Sequence, residues 1–275
     1  MLQEVYGSDL NYSLDLISGL PGLSLAQWTD TLNTAVHLQP QPAHLSLYDL
    51  QIEGGTVFGK WYDSDKDASE RSDFKRTRGQ PPVSALILPS EENCAFMYKY
   101  AAGYLRSKGY EHYEVSSYAL TGDTGSPSPR RSQHNQIYWE TDSQWYALGL
   151  GATSFTSGVM KARPKTLVDY VRWVEVEASS LHDIAPIEDY ELLTDVVLKR
   201  LRTSEGLKLK WVARRFAKGD AYVELILRGA QLGLELDLVK LEDNVLRLAD
   251  PTGFLYSNTI ISSIFAELEA ADTHR

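Results

Sequence analysis

The chain has 275 residues, of which 43% are hydrophobic and 23% charged, a composition typical of a folded globular protein and not of a disordered one. Its formal net charge of −10 argues against a general nucleic-acid-binding surface, and no apolar run approaches the roughly 20 residues of a membrane span. The single cysteine, Cys94, excludes internal disulfides and cannot supply the several thiolates of an iron–sulfur cluster. We expect Cys94 to be a small apolar core residue. The first residues show neither a secretory signal nor a transit peptide.

The N-terminal part predicts a strand–helix–strand unit. The hydrophobic run YSLDLISGLPG (12–22) is typical of a parallel strand that ends in a loop. Ser24 then precedes Trp28 and Leu32 at helical spacing, which predicts a capped amphipathic helix. The segment HLSLYDLQIE (44–53) gives a second strand. Short connections between these elements predict a parallel α/β sheet.

A polar loop and a helix follow. Residues 59–82 mix charges of both signs and end in two prolines, which predicts a surface loop. Residues 91–108 have helical periodicity. We predict that their aromatic stripe of Phe96, Tyr100 and Tyr104 faces the core.

The most distinctive stretch contains the hexapeptide HNQIYW (134–139). Strand-like runs over 113–119 and 148–151 flank a loop, rich in Gly, Ser, Pro and Arg, that leads into it. A neutral imidazole beside Tyr and Trp suits an axial haem ligand with an apolar wall, whereas a histidine in a loop is more often only a surface residue. Arg130 and Arg131 either face the carboxylates of such a ligand or form a solvated basic pair.

A separate module is predicted from residue 187 onwards, after a helix over 166–178. We predict helices over 188–201, 209–216, 222–232 and 253–268, with a hairpin formed by 236–239 and 245–248. Three helices with such a hairpin resemble a winged helix. Local positive charge would suit DNA, but the acidic chain favours a packing or docking module; the charged residues are Lys208, Lys210, Arg214, Arg215 and Lys218.

Several of these segments are similar to those of the radical SAM family. HNQIYW matches the HNxxYW motif of HemW-type haem chaperones, which resemble the oxygen-independent coproporphyrinogen III oxidases. YEVSSYA, LGLGATS, DLISGLPGL, HLSLYDLQIE, LRTSEGL and DPTGFLYSN are similar to further segments of that family. Ser132 stands where the family commonly has a cysteine, so any role of that cysteine is in doubt here. The resemblance covers nearly the whole chain but only the C-terminal two-thirds of the family architecture.

The resemblance implies an α/β fold, namely the C-terminal part of a radical SAM partial (βα) barrel with a β-extension, followed by a small winged-helix-like α+β domain. Residues 1–58 would hold the last two barrel strands. Residues 59–180 would be the extension that carries HNxxYW, and residues 187–270 the C-terminal domain.

The resemblance also implies site residues and cofactors. Haem would be bound by His134, Asn135, Tyr138 and Trp139, with His134 on the iron. SAM would be bound by Gln51 and by Asp15, which we expect at the end of the first strand, before GLPG. The family's CxxxCxxC loop and GGGTP-like strand end are absent from this sequence. We therefore expect a truncated form without the cluster, whereas SAM and a 4Fe–4S cluster would belong to the full-length protein.

The preferred function is that of a haem chaperone in porphyrin and haem metabolism, with haem or a porphyrin and an apo-haemoprotein as partners and no nucleic acid. HNxxYW favours this function over oxidative decarboxylation of coproporphyrinogen III, because true oxidases lack the motif. A non-catalytic interaction protein is the third alternative, and enzymatic activity stays open. The segments YEHYEVSSYA and DPTGFLYSN are similar to those of plant or algal members of the family. The sequence leaves the compartment open: it is cytoplasmic, or a plastid or mitochondrion if a segment precedes this chain.

Overall fold

The computed structural model describes residues 10–56, 59, 62, 87–122, 130–141, 143–156, 159–176 and 189–272. The chain divides into two compact units, residues 1–131 and 132–275. The predicted loop over 59–82 lies outside the described residues except at two positions. Among the residues described, no helix is long and apolar enough to cross a membrane.

The first unit contains a four-stranded sheet of order β1-β2-β4-β3. The strands β1 and β2 pair in parallel, which confirms the predicted pairing, and the other neighbours are antiparallel. These strands are β1 (Ser13–Ser18), β2 (His44–Asp49), β3 (Tyr110–Glu114) and β4 (Ser117–Leu120).

Two helices cover the apolar face of this sheet. Helix α1 (Leu25–Val36) begins after Ser24, which confirms the predicted cap. Ser24 and Gln27 form a capping box, in which each side chain accepts from the other residue's backbone N–H. Helix α2 (Glu91–Ser107) begins after Ser90, whose side chain accepts a hydrogen bond from the backbone of Asn93. The core between helices and sheet is formed by Trp28, Leu32, Val36, Leu45, Leu47, Met97, Ala101, Ala102, Leu105, Tyr110 and Tyr118.

The prediction that the aromatic stripe of α2 faces the core is wrong. Phe96, Tyr100 and Tyr104 stack on one another with centroid separations of 5.9 and 5.8 Å, but Phe96 is 49% exposed. Tyr100 and Tyr104 only flank the core, because the buried face of α2 is turned toward Met97, Ala101, Ala102 and Leu105. Cys94 is half-buried, so it is not the fully enclosed core residue that we expected.

We predicted a single strand for the segment YEVSSYA, but this segment forms the turn of a hairpin. Strand β3 ends at Glu114, which pairs with Ser117 at the start of β4, so Val115 and Ser116 form a two-residue turn. A register shift between His112 and Glu114 marks a bulge beside this turn.

The second unit begins with helix α3 (Gln133–Trp139), which contains HNQIYW. The prediction of a loop for this hexapeptide is therefore wrong. The predicted strand over 148–151 is also wrong, because Gly149 and Gly151 have φ of 97° and 66° and form a turn. The hairpin of β5 (Thr153–Thr156) and β6 (Val159–Ala162) follows, and then α4 (Leu167–Val176).

The C-terminal part contains helices around a small three-stranded sheet of order β7-β9-β8. The predicted helices and hairpin are present with shifted ends, and the last predicted helix is divided in two. The elements are α5 (Asp189–Leu201), β7 (Leu207–Lys208), α6 (Leu209–Arg215), α7 (Gly219–Glu235), β8 (Val239–Glu242), β9 (Val245–Leu248), α8 (Thr252–Leu255) and α9 (Ser257–Asp272).

Candidate functional site

Helix α3 presents His134 at its first turn. The Ser132 hydroxyl accepts a hydrogen bond from the backbone N–H of Asn135 (3.2 Å), so the residue that stands in place of the family's cysteine is a helix cap. His134 and Tyr138 lie four residues apart and therefore share one helix face. Their rings meet edge to face at a centroid distance of 5.0 Å, and the His134 side chain is exposed.

A continuous row of aromatic rings extends from His134 toward the interior of the second unit. The Tyr138 ring meets Trp145 edge to face at 4.7 Å, and Trp145 lies 4.8 Å from Phe155. The Trp145 indole N–H donates to the Thr153 carbonyl (3.0 Å), which fixes the indole plane. We call His134, Tyr138, Trp145 and Phe155 the ring row. It connects an exposed imidazole to a buried phenyl ring.

A buried cation lies at the inner end of the ring row. Lys199 on α5 is 4% exposed, and its Nζ lies 4.3 Å from the Phe155 centroid and 5.6 Å from that of Trp145. Its counter-charge is Asp195, one helical turn earlier, with Oδ2 at 2.6 Å from Nζ. This contact is an ion pair at short range and not an aligned hydrogen bond. The sequence analysis missed Lys199, since its position in an amphipathic helix looks like an ordinary surface charge.

Trp139 and Asn135 occupy other faces of α3. The Trp139 ring is half-buried, and the Arg202 guanidinium carbon lies 5.9 Å from its centroid. Asn135 contributes its backbone to the helix cap. The structure thus brings His134 and Tyr138 together, while Trp139 turns to a separate cation.

The residues on this face of α3 fit a haem ligand. Within the described ranges the His134 imidazole makes no hydrogen bond to another side chain or carbonyl, so its ring nitrogens are open to a metal. The adjoining Tyr138 ring is 37% exposed and offers an apolar wall beside the imidazole.

The two residues predicted for SAM lie in the first unit, apart from each other. Asp15 is in the middle of β1, opposite Ser46, and not at the strand end where the sequence analysis placed it. Gln51 is exposed, beyond the end of β2 and five residues after Ser46.

Asp15 belongs to a polar face of the sheet, opposite the face that packs on the helices. His44 on this face is 5% exposed and lies 2.7 Å from the Tyr113 hydroxyl. Burial lowers the pKa of His44, and the Asp15 carboxylate opposes this shift by favouring the charged imidazole. Neutral His44 is therefore the form that the fold favours.

Arg131 also lies on this polar face. Its Nε donates to Glu111 Oε2 (3.1 Å), a second nitrogen pairs with Glu111 Oε1, and the guanidinium covers the Tyr113 ring at 5.0 Å. The side chain is buried. Arg131 is therefore not part of a solvated basic pair, and its hydrogen-bonding groups are engaged by Glu111.

The acid at the end of the strands is Asp49, which the sequence analysis did not single out. The Ser18 hydroxyl donates to Asp49 Oδ1 (3.1 Å). Gly19 has φ of 70°, and a Cβ there would lie 2.6 Å from that same oxygen. Burial raises the pKa of Asp49, and the Ser18 hydrogen bond counteracts the effect.

Comparison with solved structures shows which known fold the chain resembles. No protein-family model matches it. The solved structure of coproporphyrinogen III oxidase (HemN) from Escherichia coli, a radical SAM enzyme, aligns with a TM-score of 0.64 at 17% identity, over 92% of this chain and 54% of that one. The chain is thus an α/β protein with a fold like that of HemN.

Sequence comparison identifies homologues of the chain. Heme chaperone HemW of Synechocystis sp. is 32% identical over 94% of this chain and 60% of its own length. The mitochondrial radical S-adenosyl methionine domain-containing protein 1 of Danio rerio is 28% identical over 71% of this chain and 39% of its own length. The chain is therefore a homologue of the HemW haem chaperones and of the radical SAM domain-containing proteins. It spans about 60% of the length of the HemW relative.

The ion pair beneath the ring row gives a first prediction. Asp195→Asn should destabilise the second unit by about 2 kcal/mol, because it leaves the buried Lys199 ammonium without its counter-charge. This estimate is below the range for fully buried pairs, since the Asp195 side chain is 29% exposed. Chemical denaturation measures the loss. The same substitution in a Lys199→Met background should cost much less, and an equal cost in both backgrounds would contradict the pairing.

Proposed function

We propose that this chain binds haem through His134 and passes it to an apo-haemoprotein, as a haem chaperone of the HemW type. The proposal is carried by one observation: HNQIYW forms a helix that exposes an imidazole beside an aromatic wall, in a homologue of HemW proteins. Tyr138 would stack beside the ligand, and Trp139 and Asn135 would hold the helix in place.

The architecture supports a related proposal about the domains. A parallel strand pair that is covered by helices on one face suits the wall of a partial (βα) barrel, in which the uncovered polar face would lie inward. We propose that residues 1–58 are the last two barrel strands, 59–180 the extension and 187–270 a winged-helix-like domain that serves in packing or docking.

SAM and a 4Fe–4S cluster belong to the same proposal for the full-length protein. Asp15 and Gln51 would contact SAM, and we add Asp49 as the acid at the strand ends. With one cysteine, this chain would not ligate the cluster itself. The cluster and SAM would supply radical chemistry in the family; the haem proposal requires neither.

The alternative activity, oxidation of coproporphyrinogen III, has less support. The likeness to HemN is a likeness of fold at 17% identity. The sequence relatives named above are HemW chaperones and radical SAM domain-containing proteins. The resemblance of HNQIYW to the HNxxYW motif of the chaperones also favours the chaperone function.

Haem titration tests the proposal. The purified chain should shift the Soret band of haem, and His134→Ala should weaken binding on the order of 100-fold, because an iron ligand is lost. His37→Ala is the matched control, since His37 is exposed and caps α1 in the other unit. Equal affinities for the two variants would remove His134 as the ligand.

A further inference from the structure

We propose that a cavity in the second unit binds a carboxylate, and that its ligand is a propionate group of the porphyrin. The inference rests on the proposed haem function and adds the site that would hold the edge of the ligand. The cavity has a volume of about 220 Å³ and is lined by Thr141, Val196, Arg200, Leu207, Lys208 and Trp211.

The charge of the lining points to an anion. Among the residues that the structure describes, its charged lining residues are Arg200 and Lys208, and no described carboxylate lines it. Neither cation forms an ion pair with any other residue in the part of the chain that the structure describes. Lys208 is exposed and Arg200 half-buried, so both side chains are accessible to an anion from solution.

The shape of the lining points to a carboxylate on an apolar skeleton. Arg200 Nε donates to the Gly206 carbonyl (3.3 Å), which holds the guanidinium in one orientation and leaves its terminal nitrogens for a ligand. A guanidinium fork matches a carboxylate with two parallel hydrogen bonds. Val196, Leu207 and Trp211 supply the apolar wall that a short alkyl carboxylate would contact.

The cavity is structurally connected to the helix that carries His134. The lining residue Thr141 follows Trp139 by two residues, and Arg202 faces the Trp139 ring. Helix α3 packs against α5, which contributes Val196 and Arg200 to the cavity. A porphyrin bears a metal at its centre and carboxylates at its edge, so one ligand can address an imidazole and a cationic cavity of the same unit.

The test compares haem with its dimethyl ester, in which both propionates are blocked. Arg200→Gln with Lys208→Gln should weaken haem binding about tenfold, while the Soret position stays that of the wild-type complex because His134 still ligates the iron. Wild-type protein should bind the ester about as weakly as the double variant binds haem. Lys210→Gln on α6, outside the cavity, is the control. If the double variant does not fold, Lys208→Gln alone takes its place.

Failure of this inference is distinguishable from failure of the haem function. Suppose that His134→Ala no longer binds haem, while the double variant binds haem and the ester with the wild-type affinities. The cavity proposal is then overturned, and the haem function stands. Metal-free protoporphyrin probes the cavity without any iron ligation, and equal binding of protoporphyrin and its ester would also overturn the proposal. Retention of duplex DNA that disappears in the double variant would assign these cations to nucleic acid instead.

Discussion

Gly229→Ala is expected to destabilise the second unit by about 2 kcal/mol, although alanine is normally the better helix former by about 1 kcal/mol. Helix α7 crosses α9 at Gly229, and a Cβ at this position would lie 2.5 Å from Ile264 Cα and 2.9 Å from the Ser263 carbonyl oxygen. Both neighbours are backbone atoms, so the helices must move apart and lose packing.

Gly103→Ala in α2 is the matched control for this prediction. A Cβ at Gly103 meets nothing within 4 Å, so alanine there should stabilise the first unit by about 0.5–1 kcal/mol. Differential scanning calorimetry measures both changes. If the two substitutions raise the melting temperature alike, the close approach of α7 and α9 is wrong.

Trp28→Ala should cost the first unit about 3–5 kcal/mol, the largest effect that we expect from one substitution. Trp28 is 2% exposed at the centre of the core between the helices and the sheet. Its indole N–H donates to the Met97 carbonyl (3.0 Å), which joins α1 to α2. Removal of the ring leaves a cavity and abolishes the hydrogen bond that the indole adds to the Met97 carbonyl.

Trp28→Phe separates the two contributions. Phenylalanine keeps most of the buried ring but cannot donate to Met97, so it should lose about 1–2 kcal/mol. Urea denaturation followed by far-UV circular dichroism compares the variants. A loss below about 1 kcal/mol for Trp28→Ala would mean that the indole is not buried in this core.

The periodic elements could be predicted from the sequence because their signals are local. Ser24 with Gln27 marks the start of α1, and two strand-like runs joined by one helix predict a parallel pair. The C-terminal helices were predictable for the same reason, with ends shifted by a few residues, since helix boundaries depend on caps and packing.

Local conformation was mispredicted where the sequence signal for a turn or a helix is weak. The turn at Val115 and Ser116 contains no Gly, Pro, Asn or Asp, so the hairpin looks like one strand. Helix α3 is only seven residues long and follows a loop rich in Gly, Ser and Pro. Its available signal was Ser132, a good N-cap residue three positions before Asn135.

The surroundings of the candidate site could not be predicted from the sequence, because they are formed by residues that are distant along the chain. Trp145, Phe155 and Lys199 meet only through tertiary packing. The position of Asp49 at the strand ends, in place of Asp15, depends on the register of β1 and β2. No pattern along the chain specifies that register.

Ligation of haem iron by His134 is the central claim, and resonance Raman spectroscopy of the ferrous complex tests it most directly. The wild-type chain should show an iron–histidine stretching band. The band should vanish in His134→Ala and return when free imidazole is added. The chain has six histidines, so a band that persists unchanged in His134→Ala would assign the iron to another of them and contradict the account.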